Sequence, residues 1–215
     1  MNLYYDRIFP FNLLYKWLTH SSMNTTANSI DSLSFVEDGD SQLLSCREFS
    51  MSVSRDEDEF YMRWHSFPNG EALKKKLLSM SPPPHKIDIG AIYSLPVGRA
   101  KILMKVSQKE SGNHFFPKEK EIVLDIDMND YDEIRTCCKD KKICQKCWRF
   151  LVIAMDMLEA TLREDLGFRH LLWVFSGRRG VHCWICDAAA KKYPTVYRQA
   201  LADYLNIVTV RINSH

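Results

Sequence analysis

The sequence predicts an α+β fold, with mixed β-sheets flanked by helices and a small cysteine-rich insert. Three observations predict it. Residues 121–127 alternate, placing Ile122, Leu124 and Ile126 on one side and Glu121, Val123, Asp125 and Asp127 on the other, which is the period of a half-buried strand. Leu151, Met155, Leu158 and Leu162 recur at helical spacing within residues 150–166. The remaining strand-like runs are joined by turns rather than by regularly alternating helices, so hairpins, not βαβ crossovers, build the sheets.

Taken in order, Phe11–Thr19 follows Pro10 and has the apolar spacing of a short amphipathic helix. Residues 21–45 are rich in Ser, Asn, Asp and Thr without periodicity, and are expected to be a flexible insert. Residues 48–53 and 60–67 alternate and carry aromatics on either side of a charged run, the pattern of a hairpin with a polar turn. A helix over 71–80 is stopped by Pro82, Pro83 and Pro84. Strands are expected at 87–94 and 100–106. The 150–166 helix ends at Gly167, a residue suited to the left-handed position just past a helix. Residues 171–175 and 181–186 read as strands joined by Gly177-Arg178-Arg179-Gly180, and a last helix is expected over Thr195–Leu205.

The 215 residues, 46% hydrophobic, suffice to bury a real core. A net charge of +2 neither requires nor excludes nucleic acid, because basic residues can be confined to one cleft. No run approaches the roughly 20 apolar residues of a membrane span. The first residues lack a secretory pattern. Seven cysteines, an odd number with four inside eleven positions, fit a reducing compartment and a metal site better than a disulfide framework. A soluble intracellular protein is expected.

Asp125 and Asp127 leave the same face of their strand with Cα atoms about 6.6 Å apart, close enough to share divalent cations. Mg²⁺ prefers one or two carboxylates together with substrate phosphates, so such a pair is adequate for an in-line phosphoryl displacement. The competing reading is a strand end whose acids simply face water. The turn at Ser176–His182 gathers two guanidinium groups, a hydroxyl and an imidazole. Arginine forks match phosphate oxygens, and the glycines allow close approach to main-chain N–H groups. An exposed turn with solvated arginines is the alternative. Cys137, Cys138, Cys144 and Cys147 supply four sulfurs, enough to close a tetrahedral Zn²⁺ shell. Adjacent ligands are less usual, and unmetallated or redox cysteines remain the alternative. Cys183, Cys186 and Cys46 are read as packing residues.

The order of these motifs resembles the eukaryotic and archaeal DNA primase small (catalytic) subunit. Residues 121–132 are similar to its metal-binding strand, and the 137–147 cysteines to its zinc knuckle. SGRRGVHCWICD (residues 176–187) is similar to its nucleotide-binding hairpin. Residues 47–50, 61–63 and 86–94 agree as well. The likeness covers nearly the whole chain apart from 21–45 and the last ten or so residues.

It implies an incomplete primase catalytic fold over residues 1–215, in which Asp125 and Asp127 hold catalytic Mg²⁺ or Mn²⁺. Ser176, Arg178, Arg179 and His182 would bind the triphosphate of the incoming nucleotide. Glu48 and Arg63 would lie in the catalytic cleft, with Arg63 on nucleotide phosphate and Lys86 a weaker candidate beside it. A third metal-binding aspartate is expected beyond the matched region. The implied activity is synthesis of short RNA primers from ribonucleoside triphosphates on single-stranded DNA. The implied setting is the nucleus, with a large iron–sulfur regulatory subunit and DNA polymerase alpha. A truncated module that binds nucleotide or the regulatory subunit without turnover is the rival expectation.

Overall fold

The computed structural model describes residues 2–19, 43–55, 58–100, 102, 104 and 114–206. Most of the expected insert (residues 21–42) and the tail beyond 206 lie outside the described residues. Two compact units emerge, Met1–Lys120 and Glu121–His215.

In the first unit a four-stranded antiparallel sheet has the order β2-β1-β3-β4. Its strands are β1 (Arg47–Arg55), β2 (Asp58–His65), β3 (Lys86–Tyr93) and β4 (Pro117–Glu119). Helices α1 (Asn2–Arg7), α2 (Phe11–Thr19) and α3 (Gly70–Ser79) supply Tyr5, Phe11, Tyr15, Leu18, Leu73 and Leu77 to a core that also takes Phe49 and Met51 from β1. Alternation explains the sheet: Phe49 and Met51 enter this core, while Glu48 and Ser50 leave the opposite face of β1 yet are also buried. Helix α3 begins where Asn69 accepts the Ala72 N–H at 2.9 Å, a side-chain cap for an orphan amide.

Two expectations are corrected in this unit. Residues 43–45 are helical, and Leu44 is fully buried in the core, so the polar insert gives way to packed structure before residue 46. The apolar Leu43-Leu44 pair breaks the polar composition at that point. The strand expected at 100–106 is not formed: among its described residues, 100, 102 and 104 are helical, following a 3-10 turn at Val97–Arg99. Ala, Leu, Met and Lys in that stretch are strong helix formers and it has no period-2 pattern, so propensity outweighs its apolar content.

The second unit is a three-stranded antiparallel sheet of order β5-β7-β6, with β5 (Ile122–Asp127), β6 (Leu171–Phe175) and β7 (Gly180–Ile185). One face carries Ile122, Leu124 and Ile126 from β5 and Val181, Cys183 and Ile185 from β7. Helices α4 (Gln145–Ala160) and α5 (Thr195–Leu205) pack on it through Leu151 and Leu201. Helix α4 starts five residues before the expected position, because Cys144 occupies its N-cap and Cys147 its first turn. A π-helical turn at Thr161–Asp165 prolongs it, burying Leu162, and Gly167 follows at φ +71°. Cys183 and Cys186 are buried, as packing residues should be. With one face of the sheet filled by core, β5 and β7 present Asp125, Asp127 and His182 on the other.

Candidate metal and nucleotide site

The β5–β7 register places Asp125 opposite His182 and Asp127 opposite Gly180. Asp125 Oδ1 lies 3.3 Å from His182 Nε2, and the Asp125 side chain is 72% exposed. An open carboxylate on a strand whose other face is locked into a core is rigidly mounted and free on its solvent side to meet a cation. Asp127 is more enclosed. Arg179 Nε donates to its Oδ1 at 2.7 Å and its Oδ2 at 3.1 Å. The Asn129 N–H donates to Oδ1 at 2.9 Å, and the Asp127 N–H donates to Asp130 at 3.1 Å, so Asp127 also caps the 3-10 turn Met128–Tyr131. Burial would raise the Asp127 pKa. The hydrogen bonds from Arg179 and Asn129, with the charges of Arg179 and Arg178, outweigh that and hold the carboxyl below the usual range.

The hairpin is closed by Ser176. Its N–H donates to the Gly180 carbonyl and its Oγ accepts the Gly180 N–H, both at 3.0 Å. Gly177 stands at φ +87°, a conformation open to glycine at little cost. Gly180 must also lack a side chain, since a Cβ there would meet the Ile126 carbonyl oxygen at 2.6 Å. Arg178 is exposed, while Arg179 is turned onto Asp127. The structure therefore brings Asp125 against His182 and Asp127 against Arg179, on adjacent strands, and places Ser176 at the closing turn.

The four cysteine Sγ atoms at 137, 138, 144 and 147 all lie within 4.8 Å of one another. Backbone N–H groups of Cys147 and Lys146, at the start of α4, are the largest influence on Cys144 and bring its thiol down to about 6. Its hydrogen bond with Cys144, followed by burial, pushes Cys138 up to about 12. One sulfur is thus readied as a thiolate while Cys137 and Cys138 resist a second negative charge. A bound cation removes that conflict, so the donor set fits a metal. Arg135, its side chain wholly buried, pairs with Asp132 and donates to the carbonyls of Lys142 and Asp140, both at 2.8 Å. It also approaches Cys147 Sγ at 4.0 Å.

In the first unit, Glu48 is saturated. Arg63 donates from Nε and Nη2 to its two oxygens at 2.8 and 3.0 Å, Tyr93 donates from its hydroxyl at 3.2 Å, and Ser50 donates at 3.2 Å. Both neighbouring ladders are irregular here: the β1–β3 register shifts between Arg47 and Phe49, the β1–β2 register between Phe49 and Met51. Gly90 makes room, since a Cβ there would lie 2.8 Å from that of Glu48. The Arg63 guanidinium carbon sits 4.3 Å above the Trp64 ring. Lys86 pairs with Asp88 at 3.6 Å.

Sequence reasoning missed Asn129, Arg135 and Asp132. Asn129 and Asp132 lay inside the motif around Asp127, and Arg135 stands two residues before Cys137, but neither spacing nor composition reveals a hydrogen bond. Among the described residues no helix is long and apolar enough to cross a membrane.

Comparison with known proteins is consistent with this geometry. A family model described as DNA primase small subunit matches residues 124–214, reaching further into the tail than the sequence motifs did. The DNA primase small subunit of Drosophila melanogaster is 38% identical over 208 residues, which are 96% of this chain and 41% of that protein. That of Schizosaccharomyces pombe is 38% identical over 95% of this chain and 39% of its own length; that of Saccharomyces cerevisiae is 36% identical over 98% and 45%. The chain spans about two fifths of the length of the curated relatives it matches. On this likeness, carried across both units, the chain belongs to the DNA primase small subunit family.

Proposed function

We propose that this chain carries the metal- and nucleotide-handling part of a primase catalytic subunit, which makes short RNA primers on single-stranded DNA to initiate replication. The observation that supports it most is the pairing of Asp127 with Arg179 beside that of Asp125 with His182. An acidic pair and a basic hairpin at one end of a strand pair are what nucleotidyl transfer from a triphosphate requires.

In this reading Asp125 and Asp127 hold Mg²⁺ or Mn²⁺; divalent cations there supply polarisation of the attacking 3′-hydroxyl and of the leaving pyrophosphate. Arg178 and Arg179 neutralise the triphosphate, with Arg179 exchanging its carboxylate partner for phosphate as the nucleotide arrives. Ser176 keeps its hydroxyl proton to donate, and His182 donates from Nε2 when that nitrogen is protonated. Arg63 contacts nucleotide phosphate, and Glu48 orients its guanidinium. Cys137, Cys138, Cys144 and Cys147 hold a structural Zn²⁺. Single-stranded DNA, ribonucleoside triphosphates, a large iron–sulfur subunit and DNA polymerase alpha are the corresponding partners, and the nucleus the corresponding compartment.

The share of the relatives' length spanned here favours a second reading, in which the chain binds nucleotide or the large subunit without turnover. A primer-synthesis assay with ribonucleoside triphosphates, a pyrimidine template and Mn²⁺ separates the two. Dinucleotide product that disappears in Asp127→Ala supports the enzyme. Nucleotide binding without product supports the module, and product retained by Asp127→Ala refutes the metal assignment.

A further inference from the structure

We infer that Asn129 couples the cysteine loop to the carboxylate–arginine pair, so that a metal ion on the four sulfurs sets the geometry at Asp127 and Arg179. The inference rests on the reading of Asp125 and Asp127 as metal ligands and of the hairpin as the nucleotide holder.

The amide orientation that satisfies both ends of Asn129 makes it a bridge. Its Oδ1 accepts from Arg179 Nη2 at 2.8 Å, and its Nδ2 donates to the Asp140 carbonyl at 2.9 Å. Arg179 in turn grips Asp127, whose Oδ1 also accepts the Asn129 N–H. On the other side, the Asp140 carbonyl is shared with Arg135 Nη2 at 2.8 Å. Asp140 lies between the two cysteine pairs, at φ +54°, a conformation that is uncommon for a residue with a side chain. Its N–H donates to Asp132 Oδ2 at 3.3 Å, and Asp132 is the partner of Arg135.

The loop therefore has two fastenings. Arg135 ties its interior to Asp132, Asp140 and Lys142, and a metal would tie its ends through the sulfurs. The Asp140 carbonyl is the atom by which that loop holds Asn129, and Asn129 in turn holds Arg179 of the hairpin. Asn129 suits the task because its side chain carries both a donor and an acceptor. An aspartate would keep the acceptor for Arg179 but present oxygen to the Asp140 carbonyl, and an alanine would keep neither.

The test uses the full 215-residue chain loaded with Zn²⁺, with Mn²⁺ and ATP as probes and affinity read by calorimetry. Asn129→Ala and Asn129→Asp are each expected to weaken Mn²⁺–ATP binding about fivefold or more while Zn²⁺ content and melting midpoint stay near wild type. Stripping Zn²⁺ from the wild-type chain is expected to produce a similar loss. Stripping it from Asn129→Ala is expected to add less than about twofold, since the link is already cut. Unchanged affinity in Asn129→Asp overturns the coupling without any metal removal. Equal, additive losses on stripping wild type and variant overturn it as well. Absence of Mn²⁺–ATP binding by the zinc-loaded wild-type chain overturns the nucleotide reading itself, and so is distinguishable from failure of the coupling alone.

Discussion

Asp127 and Gly180 face each other across β5 and β7, and the space beside Gly180 is so tight that a Cβ would lie 2.6 Å from the Ile126 carbonyl oxygen and 3.4 Å from Asp127 Cα. The missing side chain at 180 is therefore what lets the basic hairpin close onto the acidic strand.

Gly180→Ala should push β7 away from β5 at the end that carries Asp127. The obstacle is backbone, which cannot swing aside as a long side chain would. We expect a loss of about 1–3 kcal/mol in stability, the cost of overpacking. Weakened Mn²⁺–nucleotide binding should exceed what that destabilisation alone explains. Urea unfolding and calorimetry on the same preparation measure the two effects.

Glu48→Gln should destabilise the first unit. The Glu48 side chain is 4% exposed and gives both oxygens to Arg63, so its loss removes charge-assisted bonds at a buried site. Arg63 is 45% exposed and partly screened, which holds the expected cost to about 1–3 kcal/mol. Burial acts to raise the Glu48 pKa, but Arg63, Tyr93 and Ser50 outweigh it and keep the carboxyl below 4.5. A lowered acid contributes stability that is present above 4.5 and fades as pH falls through the lowered value. The gap between wild type and Glu48→Gln should accordingly be full at neutral pH and close on the acid side. A gap that widens below 4.5 contradicts this sign.

Serine substitution of Cys138, Cys144 or Cys147 should each lower bound Zn²⁺ and bleach the charge-transfer band of a Co²⁺-loaded chain. Cys147 is buried in the α4 core, so its substitution should also lower the melting midpoint of the metal-free protein, whereas Cys144 stands at the N-cap of that helix, where serine is a favoured residue, and Cys144→Ser should leave that midpoint near wild type. Cys137 is exposed and adjacent to Cys138. Because its sulfur falls within the same 4.8 Å cluster, Cys137→Ser should lower Zn²⁺ affinity as well. Full retention of affinity would remove it from the ligand set.

Much of this molecule was legible before its structure. The alternation of residues 121–127 carried over into β5, because a period-2 pattern with one apolar face admits few other folds. The Leu151–Leu162 stripe and Gly167 likewise marked a helix and its end. Misreadings came where local signals competed. Residues 100–106 were apolar enough for a strand but made of helix formers, and the start of α4 was hidden by the cysteines that cap it. The grouping of Asp125, Asp127 and the Arg-Gly hairpin was what the family resemblance implied, whereas the hydrogen bonds of Asn129, Asp132 and Arg135 carried no sequence signal.

Residue type and spacing alone determined which chemistry the chain could offer: two acids on one strand face, two guanidinium groups on a glycine turn, and four sulfurs in eleven positions. Only the tertiary structure decided which of those groups touch. Contact depends on register, rotamer and the room left by residues such as Gly180 and Gly90, and those are set by packing between segments distant in sequence. That is why Arg179 could be named as a candidate phosphate ligand from the letters, while its grip on Asp127 and its tie through Asn129 to the cysteine loop could not.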